Sequence, residues 1–516
     1  VTLVAGIDSS TQSTKIVVCD AADGTIVRSA AAPHPDGTEV DPEAWWSALR
    51  AAAGGGLLDG VAALSVAGQQ HGMIALDDAG RTVRPALLWN DMRSADDADD
   101  LVAELGAEAW AAATGSVPTA SFTVAKLRWL ARREPANAAR TSSVLLPHDW
   151  LTWRLAGGGG RDGSGRSGRG GDGGRSGNGG SGAGGDGRQA GEPAALTALT
   201  VADVPRTTDR GDASGTGYWS PTAGDYLPEL VDHALGHPLE LPRVAGPAEI
   251  VAEAVRVAAP GTPLAAGTGD NMAAALGICP LPGDVIVSVG TSGTIFATSP
   301  AATRDPAGLV AGFADATGHF LPLVCTLNAA RVLTTVAELL GVSPDGFDAL
   351  ALAAEPGAGG LTLLPFLDGE RTPNLPRSRG LLAGLSRGNL SRENVARSAV
   401  EGVLCGLAVG VDALRGHGVP VRRAVLVGGG SRSRAVRRLA PAVLGLPVAL
   451  PDPGTEWVAR GAARQAAWAL SGTAEPPDWS VAADLVAAEP DPLTRAAFAG
   501  VLDGVLPLLR RERPAG

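Results

Sequence analysis

Lysine is almost missing from this chain of 516 residues, where Lys15 and Lys126 are the only two. The other strong cations are arginines, acidic residues outnumber basic ones, and the formal net charge is −12. That balance argues against a general role on nucleic acid or on an anionic membrane surface. Cysteine is sparse as well. Cys19, Cys279, Cys325 and Cys405 lie far apart with no C-x-x-C pair. Their spacing builds neither a zinc ribbon nor a redox pair, so they read as small buried residues in a reducing compartment. No basic leader with an apolar core opens the sequence, and no apolar run approaches the roughly 20 residues that span a bilayer. A cytoplasmic protein without a membrane partner is expected.

Strand-forming runs that break into small hydroxyl residues are plentiful. Leu3 to Ile7 leads into Asp8-Ser9-Ser10-Thr11-Gln12-Ser13-Thr14-Lys15, and Ile16 to Asp20 follows. The pattern returns at Asp284 to Val289, then Gly290-Thr291-Ser292-Gly293-Thr294, then Ile295 to Thr298. Each reads as a β-hairpin whose turn offers backbone N–H groups and hydroxyls to anionic oxygens. Two such hairpins, one opening each half, suggest a nucleotide phosphate tail held between two related domains. The candidate phosphate contacts are Thr11, Gln12, Ser13 and Lys15 in the first turn, and Gly290, Thr291 and Ser292 in the second. For Lys15 a solvated lysine at a strand end is an equal alternative.

Strands and helices alternate throughout, which indicates an α/β class, and the length calls for more than one core. Asp41-Pro42-Glu43 opens a helix with Trp45, Trp46 and Leu49 on one face. Further helices are expected over Ser94 to Leu105, Thr123 to Arg133, Val395 to Leu414 and Ser433 to Leu444. Gly157 to Gly191 is more than half glycine and has no aromatic residue. It reads as a flexible insertion without packing of its own. A domain break is expected near Pro260-Gly261-Thr262-Pro263, giving domains 1–262 and 263–516.

Several residues carry chemistry. Asp8 ends the first strand, where a carboxylate suits Mg²⁺ near a γ-phosphate; an Asx-turn is the alternative. Leu264 to Asn271 is a strand running into Gly267-Thr268-Gly269-Asp270. Asp270 there can take a proton from an attacking hydroxyl, or simply cap the next helix. Asn271 can reach the same substrate. Gly68-Gln69-Gln70-His71-Gly72 ends another strand, and His71 is either a satisfied loop histidine or a hydrogen-bond donor to substrate hydroxyls. Gly428-Gly429-Gly430 and Ser433 follow a strand, where glycines let backbone approach a flat ligand such as adenine; an ordinary strand-to-helix turn has the same composition.

Together these pieces closely resemble the FGGY carbohydrate kinase family. Ser121 to Leu130 and the stretch from Gly380 to Glu401 match its signatures, and Gly369-Glu370-Arg371-Thr372-Pro373 resembles another of its segments. Gly68 to Gly72, Leu87 to Arg93, Leu146 to Leu151 and Thr208 to Gly215 are most similar to the D-xylulose-phosphorylating branch, with Gln70 standing where that branch has Met. The resemblance implies two ribonuclease H-like α/β domains of the actin and hexokinase type, with an interdomain cleft. Sugar would lie mainly on the first domain and Mg·ATP on the second. It further implies Asp270 as catalytic base, Asp8 as a second catalytic residue, and Gln70 with His71 on the sugar. The implied reaction is ATP-dependent phosphorylation of D-xylulose on its 5-hydroxyl. Other sugar, sugar-acid or polyol kinases of the family, a non-catalytic sensor and an actin-like ATPase are the rival readings. The expected partners are small molecules, with a homodimer as the assembly the sequence allows.

Removing Gly157 to Gly191 and joining the ends with a few residues is expected to leave kcat and melting temperature nearly unchanged. Loop-closure entropy changes by only about 0.6 kcal/mol per doubling of length. Lost activity with an intact circular-dichroism spectrum would show that the segment has a function.

Overall fold

Two sheets of matching plan organise the chain in the computed structural model, which describes residues 1–159, 204–375 and 377–509. The first is built from β1 (Leu3–Ser9), β2 (Ser13–Asp20), β3 (Ile26–Pro33), β4 (Val61–Gly68), β5 (Ile250–Ala254), β6 (Thr262–Ala265) and β7 (Thr268–Gly269). Its order is β5-β6-β4-β1-β2-β3, with β7 also beside β4. The second is built from β8 (Asp284–Val289), β9 (Gly293–Phe296), β10 (Ala311–Ala314), β11 (Phe320–Thr326), β12 (Arg423–Val427), β13 (Val448–Pro451) and β14 (Ala483–Val486), in the order β10-β11-β9-β8-β12-β13-β14. In each sheet a tight antiparallel hairpin, β1–β2 or β8–β9, extends on one side into a third antiparallel strand. On the other side its first strand pairs parallel, β1 with β4 and β8 with β12. Parallel pairing needs long crossovers, and helices supply the cover for both faces.

The expected break at 262/263 falls inside the first sheet. β5 and β6 form an antiparallel pair that joins Ile250 to Ala265, and β7 extends the sheet to Gly269. The second sheet starts at Asp284, so the chain changes sheet after the helix Asp270–Ile278. The hydrophobic run from Leu264 is a strand, as read, but it belongs to the first sheet.

Helix α1 (Thr123–Arg133) has the expected bounds, and the helix Pro42–Ala52 has Asp41 as its cap with Trp45, Trp46 and Leu49 buried. Helices α2 (Pro147–Leu155), α3 (Arg210–Ser214) and α4 (Asp270–Ile278) sit around the first sheet. The second core is built around α5 (Arg392–Gly416), with α6 (Arg434–Leu444) beside it. Helix α7 (Trp457–Ser471) returns from the second half of the chain to lie on the first sheet and on α4. The contact is made by small residues: a Cβ on Gly461 would stand 1.8 Å from the Ala273 carbonyl oxygen, and one on Gly6 would stand 1.8 Å from that of Ala459. Gln465 fixes the contact by accepting from the Ser65 hydroxyl and donating to the Pro247 and Gly267 carbonyls.

Two helices correct the expectation that no apolar run nears membrane-spanning length. Both α5 and α8 (Pro492–Leu509) are long and apolar enough by length and composition. Helix α5 is largely buried as the axis of the second core. Helix α8 lays Val501, Leu502, Val505 and Leu506 against that core and leaves Leu493 and Leu508 exposed. All four cysteines are free thiols.

Residues 160–191 of the glycine-rich segment lie outside the described residues. Gly157, Gly158 and Gly159 do pack, contrary to the reading of a segment without contacts. Their carbonyls accept from Arg256, and Gly158 lies against the Trp153 ring. A deletion that spares the fold therefore begins at Gly160.

Gly461→Val should destabilise the protein at or beyond the upper end of the about 1–3 kcal/mol typical of overpacking, because backbone rather than a side chain blocks the new atoms. Chemical unfolding would measure it, and an unchanged midpoint would show that α7 can lift off the sheet at no cost.

Candidate active site

The register of three parallel strands gathers the candidate residues. Gly68 at the end of β4 pairs with Ser9 of β1 on one side and Gly269 of β7 on the other. Asp8, the loop Gln69–Gly72 and Asp270 therefore emerge at one edge, the carboxyl ends of the strands, where open α/β sheets bind ligands.

Asp8 is 2% exposed, and its Oδ1 accepts from the Ser10 hydroxyl at 2.6 Å. Burial pushes its carboxyl up to about 6, against the opposing pull of that hydrogen bond and of Lys15. Asp270 is the first residue of α4, and the N-cap is Gly269, so the capping alternative does not hold. Its Oδ1 accepts from the Asn271 N–H at 2.8 Å and from Asn271 Nδ2 at 2.9 Å. Among the described residues Oδ2 has no protein partner. Asp270 itself is partly exposed. Desolvation, with the charges of Asp8 and Asp212 added, pushes it up to about 7. Asn271 Nδ2 also donates to Gln70 Oε1 at 3.1 Å, which ties the start of α4 to the β4 loop.

His71 has a φ of 65°, a left-handed conformation that few side chains adopt. Its Nδ1–H donates to the Gly215 carbonyl at 2.7 Å, and its ring lies 4.9 Å from Phe122 and 5.7 Å from Phe313. Burial, with Lys126 and Arg371 nearby, pushes the imidazole down to about 3, so it is neutral. The remaining Nε2 is then an acceptor, which corrects the expectation of a donor to substrate hydroxyls. The loop is held by Lys126, whose Nζ donates to the His71 carbonyl at 2.7 Å and to the Ser121 carbonyl at 2.8 Å.

The phosphate-turn candidates divide. Gln12 is exposed at the tip of the first hairpin, with Ser13 beside it, and Thr291 is exposed at the tip of the second, between Gly290 and Ser292. Thr11 leans toward the β4 loop, accepting from Trp89 Nε1 at 2.9 Å and donating to Gln69 Oε1 at 3.4 Å. Lys15 is held by Glu456, at 2.6 Å, instead of standing free for phosphate. Gly428 and Gly430 lie against Val289, so the second hairpin and the glycine turn share one edge, and Gly429 faces open space. Ser433 is occupied elsewhere: its hydroxyl donates to Asp348 at 2.5 Å and accepts from the Val436 N–H, capping α6. The second half also reaches the first directly, through Phe313 on His71, Arg371 on Ser121 and the Ser214 hydroxyl accepting from the Ala314 N–H. Trp89, Lys126 and Arg371 were not singled out from the sequence as site residues, although each falls in a stretch that carries the family resemblance.

Residues 3–168 match the N-terminal domain of the FGGY family of carbohydrate kinases, and residues 285–470 match its C-terminal domain. The chain belongs to the FGGY family of carbohydrate kinases. It is 43% identical to a xylulose kinase of Streptomyces rubiginosus, over 100% of this chain and 98% of that one. It is 44% identical to a xylulose kinase of Streptomyces coelicolor, over 99% and 98%. The crystal structure of xylulose kinase from Bifidobacterium adolescentis superposes with a TM-score of 0.80 at 41% identity, covering 97% of this chain and 99% of that one. The two-domain α/β architecture is thus the FGGY kinase fold.

Lys126→Met should leave the His71 and Ser121 carbonyls without a donor. A loss of about 1–3 kcal/mol per unpaired buried group is expected in chemical unfolding. An unchanged stability would show that the loop does not need its clamp.

Proposed function

We propose that this FGGY kinase transfers the γ-phosphoryl group of ATP to the 5-hydroxyl of D-xylulose, giving D-xylulose 5-phosphate and ADP. The observation that carries this reading is Asp270, with Oδ1 pinned by Asn271 and Oδ2 open at the strand edge. A carboxyl poised near neutrality is matched to general-base work at physiological pH. The relatives named xylulose kinase, aligned over nearly their whole length, support D-xylulose as the acceptor.

The sugar lies on the first sheet's edge. His71 Nε2 accepts from one sugar hydroxyl, while Asn271 and Gln70 orient the end that reacts. Asp270 takes the proton of the 5-hydroxyl as its oxygen bonds to the γ-phosphorus. The bond from that phosphorus to the bridging oxygen breaks, and ADP leaves with the electron pair. Hydroxyls and N–H groups of the Gln12–Ser13 and Gly290–Ser292 turns hold the phosphate tail, and the open backbone at Gly429 receives the adenosine end. Asp8 fits a magnesium ion: it is a buried oxygen donor, and among the described residues no cation pairs with it directly at hydrogen-bond distance. When bound, the ion supplies charge neutralisation on the phosphate oxygens. Water is excluded where Phe122 and Phe313 meet His71.

Asp270→Asn should retain ATP binding and lose about 10²–10⁴ in kcat, the scale of a removed general base. A wild-type kcat would end the assignment. For the native enzyme, kcat/KM should fall tenfold per unit as pH drops below about 7, because protonated Asp270 cannot accept. His71→Ala should raise KM for the ketose, with about 1–3 kcal/mol of binding lost, and leave KM for ATP nearly unchanged. The opposite split would place His71 on the nucleotide.

A further inference from the structure

A buried ion network lies directly under the segment that carries Asp270, and the reaction as derived gives it no task. His148, the second residue of α2, is fully buried. Its Nδ1–H donates to Asp212 Oδ2 at 2.5 Å, and its Nε2 lies 3.1 Å from Asp149 Oδ1 and 4.0 Å from Asp209 Oδ1. Although burial opposes the charge, the surrounding carboxylates hold the ring as an imidazolium, raised to about 10. Asp149 and Asp209 also have backbone work: Asp149 Oδ2 accepts from the Leu146 N–H, and Asp209 accepts from Gly211, Asp212 and the Thr268 hydroxyl. Asp212 Oδ1 and Asp149 Oδ1 are both buried without a hydrogen-bond partner, but Asp212 Oδ1 lies 2.8 Å from where a Cβ on Gly269 would stand, one residue before Asp270. His148 in turn is seated against Gly68 and Gly267, where a Cβ would come within 2.8 Å and 2.5 Å of its atoms. The ion pair and the base thus share one short piece of backbone.

We propose that His148 is a positioning residue for phosphoryl transfer: its buried positive charge keeps Asp212 ionised beneath Gly269, so that this carboxylate acts on Asp270. The proposal rests on Asp270 being the general base. The groups facing Asp270 are Asp8 from β1, with the Lys15–Glu456 pair beyond it, and Asp212 from α3. The Cys325 thiol of β11 also senses Asp270. The α7 arginines Arg460 and Arg464 bind the far end of α4, at the Gly277 and Leu276 carbonyls. His148 is therefore the cation in direct contact with a carboxylate that acts on the base.

The test is the pH profile of kcat/KM for D-xylulose with saturating Mg·ATP. Asp212→Asn removes a negative charge, so the acid limb should move to lower pH. His148→Gln removes the cation that holds the buried Asp212 carboxyl ionised, so Asp212 takes up a proton and the limb should again move to lower pH, each by on the order of one pH unit. The double variant should return close to Asp212→Asn. A purely structural role would lower kcat in both without moving the limb. Shifts in opposite directions, or none while the wild type keeps its acid limb, would overturn the proposal alone. A wild-type profile flat through neutrality would overturn the general-base assignment and the proposal together. If His148→Gln does not fold, the nearly isosteric Asp212→Asn decides: a downward shift supports the proposal, and an unmoved limb overturns it.

Discussion

Everything at the candidate site depends on close approach of backbone where β1, β4 and β7 end together. Gly68 lies between Ser9 and Gly269 in register, and a side chain at Gly68, Gly267 or Gly269 would collide with His148, Gln70 or Asp212. Closing these strand ends leaves little water around the carboxyls that emerge there. Desolvation is the largest cause of the upward displacement at Asp8, Asp212 and Asp270 alike. The same packing that builds the edge thus supplies a carboxyl basic enough to take a proton near neutrality.

A second constraint joins the halves of the chain. Helix α7 belongs by sequence to the second half yet covers the first sheet, and its alanines and Gly461 meet Gly6, Ala273 and Gly277 at backbone distance. Its start carries Glu456, the partner of Lys15 beside the first phosphate turn. A rigid small-residue contact therefore sits at the base of the two hairpins, and elsewhere the halves meet through the Gly312 N–H on the Gly115 carbonyl and a shared core that includes Phe122, Phe313 and Leu321.

The sequence exposes much of this, for identifiable reasons. Both hairpins, the helix at Thr123 and the cap at Asp41 are local features, set by alternation, hydroxyl turns and capping residues. The gathering of Asp8, Gln70, His71, Asp270 and Asn271 was legible because each follows a strand, and parallel strands end at one edge. What stayed hidden depends on long-range pairing. The break at 262/263 misreads Leu264 as a new start, because a β-strand does not announce which sheet it joins. Ser433 looks free for a nucleotide until Asp348 arrives from far along the chain. The donor role given to His71 reverses once the Gly215 carbonyl fixes the Nδ1 proton. His148 and Asp212 sit in segments whose family resemblance was visible, yet their contact spans 64 residues of chain.

The scarcity of lysine acquires a physical reading at Lys126. Its slot is fully buried, offers two backbone carbonyls, and among the described residues has no carboxylate in contact, so desolvation lowers the ammonium to about 7. A lysine can give up its proton there and still donate from the neutral amine. An arginine would stay charged and bring a planar fork of five N–H groups to two acceptors. The chain uses arginine almost everywhere else, including the buried Arg460 and Arg464, which reach several carbonyls or an aromatic face. Where the acceptors are few and the histidine they position must remain neutral, a cation of adjustable charge is the better fit. A permanent charge beside His71 would press its imidazole no closer to protonation, but it would carry a larger burial cost into the loop that presents His71.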